Sequence, residues 1–157
     1  MNANTKIIFL DIDGVLNTHK YTVQTKDDEE HAYKFLDRNK IKLLKHIVDT
    51  TNARLVLSST WRNSFAANLE PTDYLSTSLT SALKNEGLEL YSKTEHLNDD
   101  RYTEIKTWLK NYPEINKFVI IDDNDFDWKD LYPFWIKTSY YIGLTEALVD
   151  DVISILI

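Results

Sequence analysis

Carboxylates follow two apolar runs of this sequence, at the point where each run ends. Asp11 and Asp13 come after KIIFL, and Asp122 and Asp123 come after FVII. Carboxylates that are brought together repel one another unless a cation lies between them. Oxygen ligands without histidine or cysteine suit Mg²⁺, which also bridges to the phosphate groups of substrates. If these acids converge, the sequence predicts a magnesium site that takes a phosphate group.

Parallel β-strands would bring these residues together. The run Lys6–Leu10 is rich in β-branched residues and ends at Asp11, and the run Arg54–Leu57 ends at Ser58. In a parallel sheet the carboxyl ends of all strands lie on one edge, and ligands bind in the crevice there. We therefore expect Asp11, Ser58 and Asp123 to meet at that edge.

The rest of the chain alternates between strand and helix patterns. The predicted strands are Lys6–Leu10, Arg54–Leu57, Leu88–Tyr91, Phe118–Ile121 and Phe134–Lys137. The predicted helices run from a cap at Asp37 to about Thr51, from Thr72 to Glu86 with Gly87 as terminator, from Asp99 or Asp100 to a residue before Pro113, and from Leu144 to Leu156, with a short turn or helix at Trp61–Asn68. This alternation predicts an α/β fold with a doubly wound, mainly parallel sheet in one domain, residues 1–157.

The composition excludes several kinds of site. Only three glycines occur among the 157 residues. Rossmann, Walker and nucleophile-elbow motifs need two or three glycines within about six residues, so none of them can be assembled. The chain has no cysteine, which excludes a disulfide framework, a thiol nucleophile, Cys-ligated zinc and iron–sulfur clusters.

Charge and hydropathy indicate the protein's setting. The formal net charge is −7, and a net acidic protein binds nucleic acid poorly without a local basic groove or a metal bridge. The N-terminal apolar run is too short for a signal peptide, and nothing approaches the about 18 apolar residues of a membrane span. The sequence therefore predicts a cytoplasmic protein that makes no membrane contact.

Each of these features also has a simpler structural interpretation. Asp-x-Asp-Gly is a common turn, Asp-Asp after a strand can cap a helix, and a serine after a strand is an ordinary cap.

Aromatic side chains are frequent in the stretch after the second acidic pair, at Phe126, Trp128, Tyr132, Phe134 and Trp135. They can form a stacking platform for bases. Packing under a loop is the favoured interpretation, because soluble domains rarely expose aromatic clusters.

Four motifs together resemble the haloacid dehalogenase-like (HAD) phosphohydrolases. They are FLDIDGVLN, VLSSTWR, the arginine of DRYTEIKTWL and VIIDDNDFD, in the order and context of that superfamily. The resemblance runs from Lys6 to about Thr145. With the late GLT at 143–145, the chain is most similar to the small HAD domains without a cap that are associated with nucleic-acid and RNA repair proteins.

This resemblance implies roles for the acids. Asp11 would be the nucleophile that forms an aspartyl-phosphate, and Asp13 would protonate the leaving oxygen and then activate water. Mg²⁺ would be held by the Asp11 carboxylate, the Asp13 backbone carbonyl and Asp123, with Asp122 in support. Asp127 would lie outside the residues that hold the metal. Chemically, a carboxylate that attacks a phosphate dianion needs its charge offset by a cation.

The resemblance also implies residues that bind the phosphoryl group. Ser58 matches the small hydroxyl residue of the family, and Ser59 is the alternative if the strand ends one residue later. Arg101 matches the lysine or arginine that neutralises phosphate charge. Lysine is commoner at that place, so Lys106 and Arg62 remain alternatives.

The spacing of the motifs leaves no room for a cap domain. Between Asp13 and Ser58 only the stretch 17–35 is not used by predicted elements, which allows at most a flap carrying His19, Tyr21, His31 and Tyr33. The expected function is a Mg²⁺-dependent phosphomonoester hydrolase with an open cleft, acting on nucleic-acid ends or nucleotides. The alternatives are a noncatalytic binding module with this fold, or a phosphatase for phosphoproteins or small metabolites.

Overall fold

The computed structural model of the chain describes residues 1–21 and 36–157. Within them it contains five strands, four α-helices and two 3₁₀ helices. The strands are β1 (Lys6–Leu10), β2 (Arg54–Leu57), β3 (Leu90–Lys93), β4 (Lys117–Asp122) and β5 (Trp135–Lys137), the helices are α1 (Arg38–Thr51), α2 (Tyr74–Asn85), α3 (Arg101–Asn111) and α4 (Glu146–Leu156), and the 3₁₀ helices are Thr60–Ser64 and Lys129–Phe134.

All five strands are parallel, in the order β3-β2-β1-β4-β5. The register decides which residues meet at the carboxyl edge. Leu10, the last residue of β1, lies opposite both Leu57 of β2 and Ile121 of β4. Asp11, Ser58 and Asp122 therefore leave the three central strands at the same level.

Helices cover both faces of the sheet. In β1, Ile8 and Leu10 point into one buried cluster, and Ile7 and Phe9 point into the other. The first cluster contains buried side chains of α1, α2 and α4, and the second contains those of α3 and of the 3₁₀ helix Lys129–Phe134. Both faces are apolar, as a buried parallel strand requires. The predicted doubly wound α/β fold is confirmed.

The helix caps agree with the sequence in most cases. Asp37 accepts a hydrogen bond from the Asn39 amide at the start of α1, and Asp100 accepts one from the Thr103 amide at the start of α3. Two starts differ from the prediction. Asp73 rather than an earlier residue caps α2, and Thr145 caps α4, so each helix begins one residue after its cap. Both capping side chains satisfy amides that the first helical turn leaves open.

The third strand begins two residues later than predicted. The Leu88 amide donates to the Leu83 carbonyl and the Leu88 side chain is buried in the core. Leu88 is therefore part of the turn that ends α2, and the strand starts only at Leu90. Phe134 similarly belongs to the preceding 3₁₀ helix, so β5 starts at Trp135.

The aromatic residues after β4 are packing residues. Trp128 is fully buried, and Phe126, Phe134 and Trp135 pack against the second core cluster. The ring centroids of Phe126 and Trp128 lie 5.6 Å apart in an edge-to-face arrangement. The favoured interpretation of this cluster as packing is confirmed, although Tyr132 remains 42% exposed.

The expected absence of a cap domain agrees with the structure. The described ranges 1–21 and 36–157 contain no inserted domain, and the intervening stretch is far shorter than the about 50 residues of the smallest typical domains. Of the residues placed on the expected flap, His31 and Tyr33 lie outside the described residues. None of the helices that the structure describes is long and apolar enough to cross a membrane.

The loop after β1 is held by the segment that leads into α4. The Thr138 hydroxyl donates to the Gly14 carbonyl at 2.6 Å, and the Leu144 amide donates to the Val15 carbonyl at 3.0 Å. Between them, Gly143 has a positive φ of 77° and its α-carbon faces the Val15 carbonyl. The turn 139–143 thereby fixes the loop that follows Asp11.

Replacement of Gly143 by alanine tests this contact. A β-carbon there would lie 2.6 Å from the Val15 oxygen, in addition to the strain of the left-handed backbone. Gly87→Ala is the matched control, because Gly87 has a φ of +72° but its β-carbon would meet only the Lys45 side chain at 3.4 Å. We expect Gly87→Ala to lower the free energy of unfolding by about 1 kcal/mol, and Gly143→Ala by at least about twice as much. Urea denaturation measures both, and equal losses would contradict the contact.

Candidate active site

Three carboxylates meet at the carboxyl edge of the sheet. Asp11, Asp122 and Asp123 each place an oxygen within 4.8 Å of an oxygen of the others. Asp11 is 9% exposed and Asp122 is 1% exposed, while Asp123 is half-buried. The Asp123 carboxylate packs against the α-carbon of Gly14, where only a glycine leaves it room. The sequence predicted that Asp11 and Asp123 would meet with Asp122 in support, and the structure brings all three together, with Asp122 the most buried.

Burial and the proximity of other acids raise the pKa values of Asp11 and Asp122. Burial raises the pKa of the Asp11 carboxyl from 3.8 to about 7, and the charge of Asp123 adds to the rise. Burial likewise raises the pKa of Asp122 to about 9, with a further contribution from the charge of Asp11. The ionised form of both carboxyls is therefore unfavourable while no cation offsets the negative charge.

This donor set fits a hard divalent cation. All three groups offer oxygen, and the described part of the chain brings no histidine or cysteine into this cluster. Carboxylates suit Mg²⁺ better than they suit zinc or copper. A cation between them would also offset the repulsion that adds to the effect of burial on the pKa values of Asp11 and Asp122.

Asp13 lies at the mouth of the site rather than in the cluster. Its side chain is exposed and accepts hydrogen bonds from Trp61 Nε1 at 3.2 Å and from Asn17 Nδ2 at 3.1 Å. One contact reaches each carboxylate oxygen, so the group is held in one orientation. Sequence reasoning missed both partners, although Trp61 stands in VLSSTWR and Asn17 in FLDIDGVLN.

The two serines after β2 have different surroundings. Ser59 Oγ accepts a hydrogen bond from the Trp61 amide and caps the 3₁₀ helix Thr60–Ser64. Ser58 is 1% exposed, and its hydroxyl has no hydrogen-bond partner in the described part of the chain. A buried hydroxyl without a partner is unfavourable unless a ligand satisfies it. The geometry therefore favours Ser58 over Ser59 as a ligand-binding group.

Arg101 is the cation that faces the acids. It is 5% exposed at the start of α3, and its charge lowers the pKa of both Asp11 and Asp122. Its guanidinium carbon lies 5.3 Å from the centre of the Phe126 ring. Among the residues that the structure describes, no partner accepts a hydrogen bond from Arg101 Nε. This nitrogen is thus another buried polar atom left for a ligand.

The remaining candidates lie elsewhere. Lys106 Nζ pairs with Asp130 at 2.8 Å on the exposed side of α3. Asp127 is exposed, and its carboxylate lies 3.7 Å from Lys129 Nζ. The structure therefore brings neither Lys106 nor Asp127 to the acid cluster.

Comparison with protein families supports this site. A family profile described as "HAD domain in Swiss Army Knife RNA repair proteins" matches residues 7–149. The chain belongs to this family. The resemblance inferred from the motifs is thereby confirmed. No curated protein and no solved structure matches the chain.

A buried glutamate organises the basic side of this HAD domain. Glu104 is 0% exposed and accepts hydrogen bonds from Arg62 Nη2 at 2.7 Å, Arg101 Nη1 at 2.9 Å and the Leu97 amide at 2.8 Å. It stands three residues after Arg101 on α3, so the two side chains share a helix face. The i, i+3 spacing of Arg101 and Glu104 is visible in the sequence, but the burial of Glu104 is not.

Arg62 belongs to the same network. Its guanidinium also donates to the Ser59 carbonyl at 2.9 Å and to Asp99 at 3.3 Å, and it lies 3.1 Å from His96 Nδ1. With the bond to Glu104, these contacts occupy both terminal nitrogens of Arg62. Like Arg101 Nε, Arg62 Nε has no hydrogen-bond partner among the described residues, so the two arginines differ in how many of their terminal nitrogens are bound.

Substitution of Glu104 tests this network. Glu104→Ala leaves two buried guanidinium groups without their carboxylate, and we expect a loss of about 3–5 kcal/mol in the free energy of unfolding. Glu104→Gln keeps the shape and one acceptor, so its loss should be smaller. The control is Glu86→Ala, which breaks an ion pair with Arg38, a side chain that is 56% exposed, and should cost less than about 1 kcal/mol. Losses of similar size at both positions, measured by urea denaturation, would argue against the network.

The raised pKa values predict how stability depends on pH. Without metal, native Asp11 and Asp122 keep protons that the unfolded chain has lost above about pH 4. The free energy of unfolding in EDTA should therefore fall as pH rises from about 5 to 9, by up to ~1.4 kcal/mol per pH unit for each proton held.

Asp122→Asn isolates this effect, because an amide cannot ionise. This variant should be more stable than the unsubstituted protein at about pH 8.5 in EDTA, and its stability should change less between about pH 6 and 8.5. Asp49→Asn, at an exposed acid paired with Lys45 on α1, is the control and should leave the slope unchanged. A parallel pH dependence of Asp122→Asn and the parent protein in urea denaturation would contradict the prediction.

Proposed function

We propose that this HAD domain is a Mg²⁺-dependent phosphomonoester hydrolase that acts through a phosphoaspartate on Asp11. The proposal rests on one observation: carboxylates, a cation and a hydroxyl that lack sufficient partners within the protein lie together at one edge of the sheet. Buried carboxylates with raised pKa values lie there beside Arg101, and the buried Ser58 hydroxyl leaves the neighbouring strand at the same level. A phosphate ester brought to this edge with a divalent cation would satisfy all of them.

The Asp11 carboxylate is the nucleophile in the first step. One of its oxygens attacks phosphorus, the new Oδ–P bond forms, and the bond from phosphorus to the leaving oxygen breaks. The Asp13 carboxyl gives its proton to that oxygen, which leaves as an alcohol. Ser58 Oγ donates a hydrogen bond to the phosphoryl group, and the Arg101 charge offsets its negative oxygens.

Water completes the reaction in the second step. Asp13, now a carboxylate, takes a proton from a water molecule as that water attacks phosphorus. The Oδ–P bond breaks, inorganic phosphate forms, and Asp11 returns as a carboxylate. The hydrogen bonds from Trp61 and Asn17 support this role, because they hold Asp13 at the mouth where both the leaving oxygen and water have access.

Mg²⁺ would be held by the carboxylates of Asp11 and Asp123 and by the Asp13 backbone carbonyl, with Asp122 adjoining. When bound, it supplies the positive charge that lets a carboxylate approach a phosphate dianion. The raised pKa values of Asp11 and Asp122 support the need for such a charge, because two buried carboxylates this close together are unfavourable when both are ionised.

The proposed substrate is a terminal phosphate of RNA or a nucleotide. The described residues include no cap domain that would close over a small substrate, which supports a substrate that extends beyond the site. The family's description places such domains in RNA repair proteins. Phosphoproteins and small metabolites are the competing substrates.

A generic aryl phosphate tests the chemistry. We expect turnover with MgCl₂, loss of turnover in EDTA, and loss of at least about 10³-fold in kcat with Asp11→Asn. Ser58→Ala should lower kcat by about 10²-fold, since it removes one donor to the phosphoryl group. Ser59→Ala is the matched control, because its hydroxyl caps a 3₁₀ helix, and it should retain most activity.

Two outcomes would overturn the proposal. Turnover that persists in EDTA or in Asp11→Asn would exclude the metal-dependent aspartyl mechanism. A folded protein that binds Mg²⁺ but hydrolyses no phosphomonoester, tested on aryl phosphate, phosphorylated oligonucleotides and phosphopeptides, would make the domain a binding module.

A further inference from the structure

Three large side chains in a row are exposed in the turn after β5. Tyr140 is 61% exposed, Tyr141 53% and Ile142 48%, and no other three consecutive large apolar residues are so exposed in the described part of the chain. Burying such side chains normally stabilises a protein, so their exposure calls for a reason other than packing. With His19 and Lys20 they form what we call the rim surface (His19, Lys20, Tyr140, Tyr141 and Ile142).

The backbone of the rim surface is held in place. The Gly143 amide donates to the Ser139 carbonyl at 2.6 Å and closes the turn. The amides of His19 and Lys20 donate to the carbonyls of Tyr140 and Tyr141 at 3.4 and 3.3 Å. The exposed rings therefore stand on a hydrogen-bonded turn.

The rings of the rim surface lie close to one another. The His19 ring centre lies 5.5 Å from that of Tyr141 and 6.3 Å from that of Tyr140, with the planes of His19 and Tyr140 only 25° apart. Three flat, polar-edged rings on one outward face are the kind of surface on which nucleic-acid bases stack. Stacking of this kind accepts any base, because every base has a π-face.

The rim surface adjoins the mouth of the site. His19 is two residues beyond Asn17, whose amide nitrogen bonds to Asp13, and two residues of extended chain span at most about 7 Å. At the other end of the turn, the Thr138 hydroxyl bonds to the carbonyl of Gly14, next to Asp13. Asp13 is the group proposed to protonate the leaving oxygen. A substrate group attached to that oxygen would therefore lie close to the rim surface.

Local charge favours a polyanion at this position in spite of the net charge of −7. Lys20 is exposed on the rim surface, and Lys40 donates to the Leu144 carbonyl just beyond the turn. Burial lowers the pKa of the Lys40 ammonium, the charge of Asp37 raises it and the charge of Lys20 lowers it, so Lys40 lies near both Asp37 and Lys20. Two neighbouring cations beside exposed rings are suited to a sugar–phosphate backbone.

We propose that the rim surface binds the unpaired nucleotides next to the terminal phosphate of a single-stranded oligonucleotide. Bases would stack on Tyr140, Tyr141 and His19, and Lys20 would contact a backbone phosphate. This inference rests on the proposed function for the position of the terminal phosphate. It adds a binding surface for the leaving group, which none of the acid-cluster residues provides.

Kinetics on matched substrates test the rim surface. The substrates are single-stranded RNA and DNA of about eight nucleotides with a phosphate at the 3′ or the 5′ end, a blunt duplex of the same sequence, a phosphopeptide, and glycerol phosphate, which has no ring to stack. The variants are Tyr140→Ala with Tyr141→Ala, the conservative pair Tyr140→Phe with Tyr141→Phe, and Tyr91→Ala. Tyr91 is a matched control, because it is 40% exposed but stacks against Arg54 at the opposite edge of the sheet.

The alanine pair should raise KM for a phosphorylated single-stranded oligonucleotide about tenfold or more. Its kinetics on glycerol phosphate should match those of the unsubstituted protein, since the acid cluster is untouched. The phenylalanine pair keeps the rings and should bind normally, and so should Tyr91→Ala. An unchanged KM for every oligonucleotide, an equal loss on glycerol phosphate, or the same loss on the duplex or the phosphopeptide would overturn the inference.

A binding measurement separates this inference from the proposed function. Anisotropy of a fluorescein-labelled, phosphorylated single-stranded oligonucleotide is measured with Asp11→Asn, alone and combined with the alanine pair. A loss of about tenfold or more in affinity with the alanine pair supports the rim surface even if no hydrolysis occurs. If the protein hydrolyses glycerol phosphate but the alanine pair leaves the affinity for the oligonucleotide unchanged, the proposed function stands and the inference is overturned.

Discussion

The mutual repulsion of three carboxylates at one sheet edge is the constraint on which the rest of this structure depends. Parallel strands that end at the same level bring Asp11 and Asp122 together, and the Gly14 turn leaves room for Asp123 beside them. Burial removes the water that would otherwise screen these charges, which is why the pKa values of Asp11 and Asp122 are raised. Such a cluster is stable in its ionised form only with positive charge nearby, and the fold supplies part of that charge through Arg101.

The positive charge of Arg101 must itself be held in place, and Glu104 holds it. A buried arginine without a carboxylate would be unfavourable, and a carboxylate in direct contact with every donor of Arg101 would leave nothing for a ligand. Glu104 divides its two oxygens between Arg62 and Arg101, so that Arg101 is anchored through one terminal nitrogen. The acid cluster and the Arg–Glu–Arg network thus form two separate charge groups that face each other across the site.

The loops at this edge connect the site to the protein surface. Thr138 and Leu144, which flank the turn 139–143, each donate one hydrogen bond to the loop of Gly14 and Val15, and the turn itself carries Tyr140 and Tyr141. The same turn therefore stabilises the loop that carries Asp13 and presents aromatic rings beside it. The described residues contain no cap domain, so the exposed aromatic rings of this rim lie at the surface near the loop that carries Asp13.

The sequence by itself determined the α/β class, the bounds of β1, β2 and α1, the convergence of Asp11 and Asp123, and the family. These follow from short-range rules, because strand runs, caps and motif order are written in neighbouring residues. Only the tertiary structure showed that the Ser58 hydroxyl is buried without a partner and that Arg62 and Arg101 share Glu104, because burial and contacts such as Arg62–Glu104 join segments that are far apart in the sequence. For the same reason, only the structure showed that Trp128 is buried while Tyr140 is exposed, since aromatic character does not reveal which rings the fold covers.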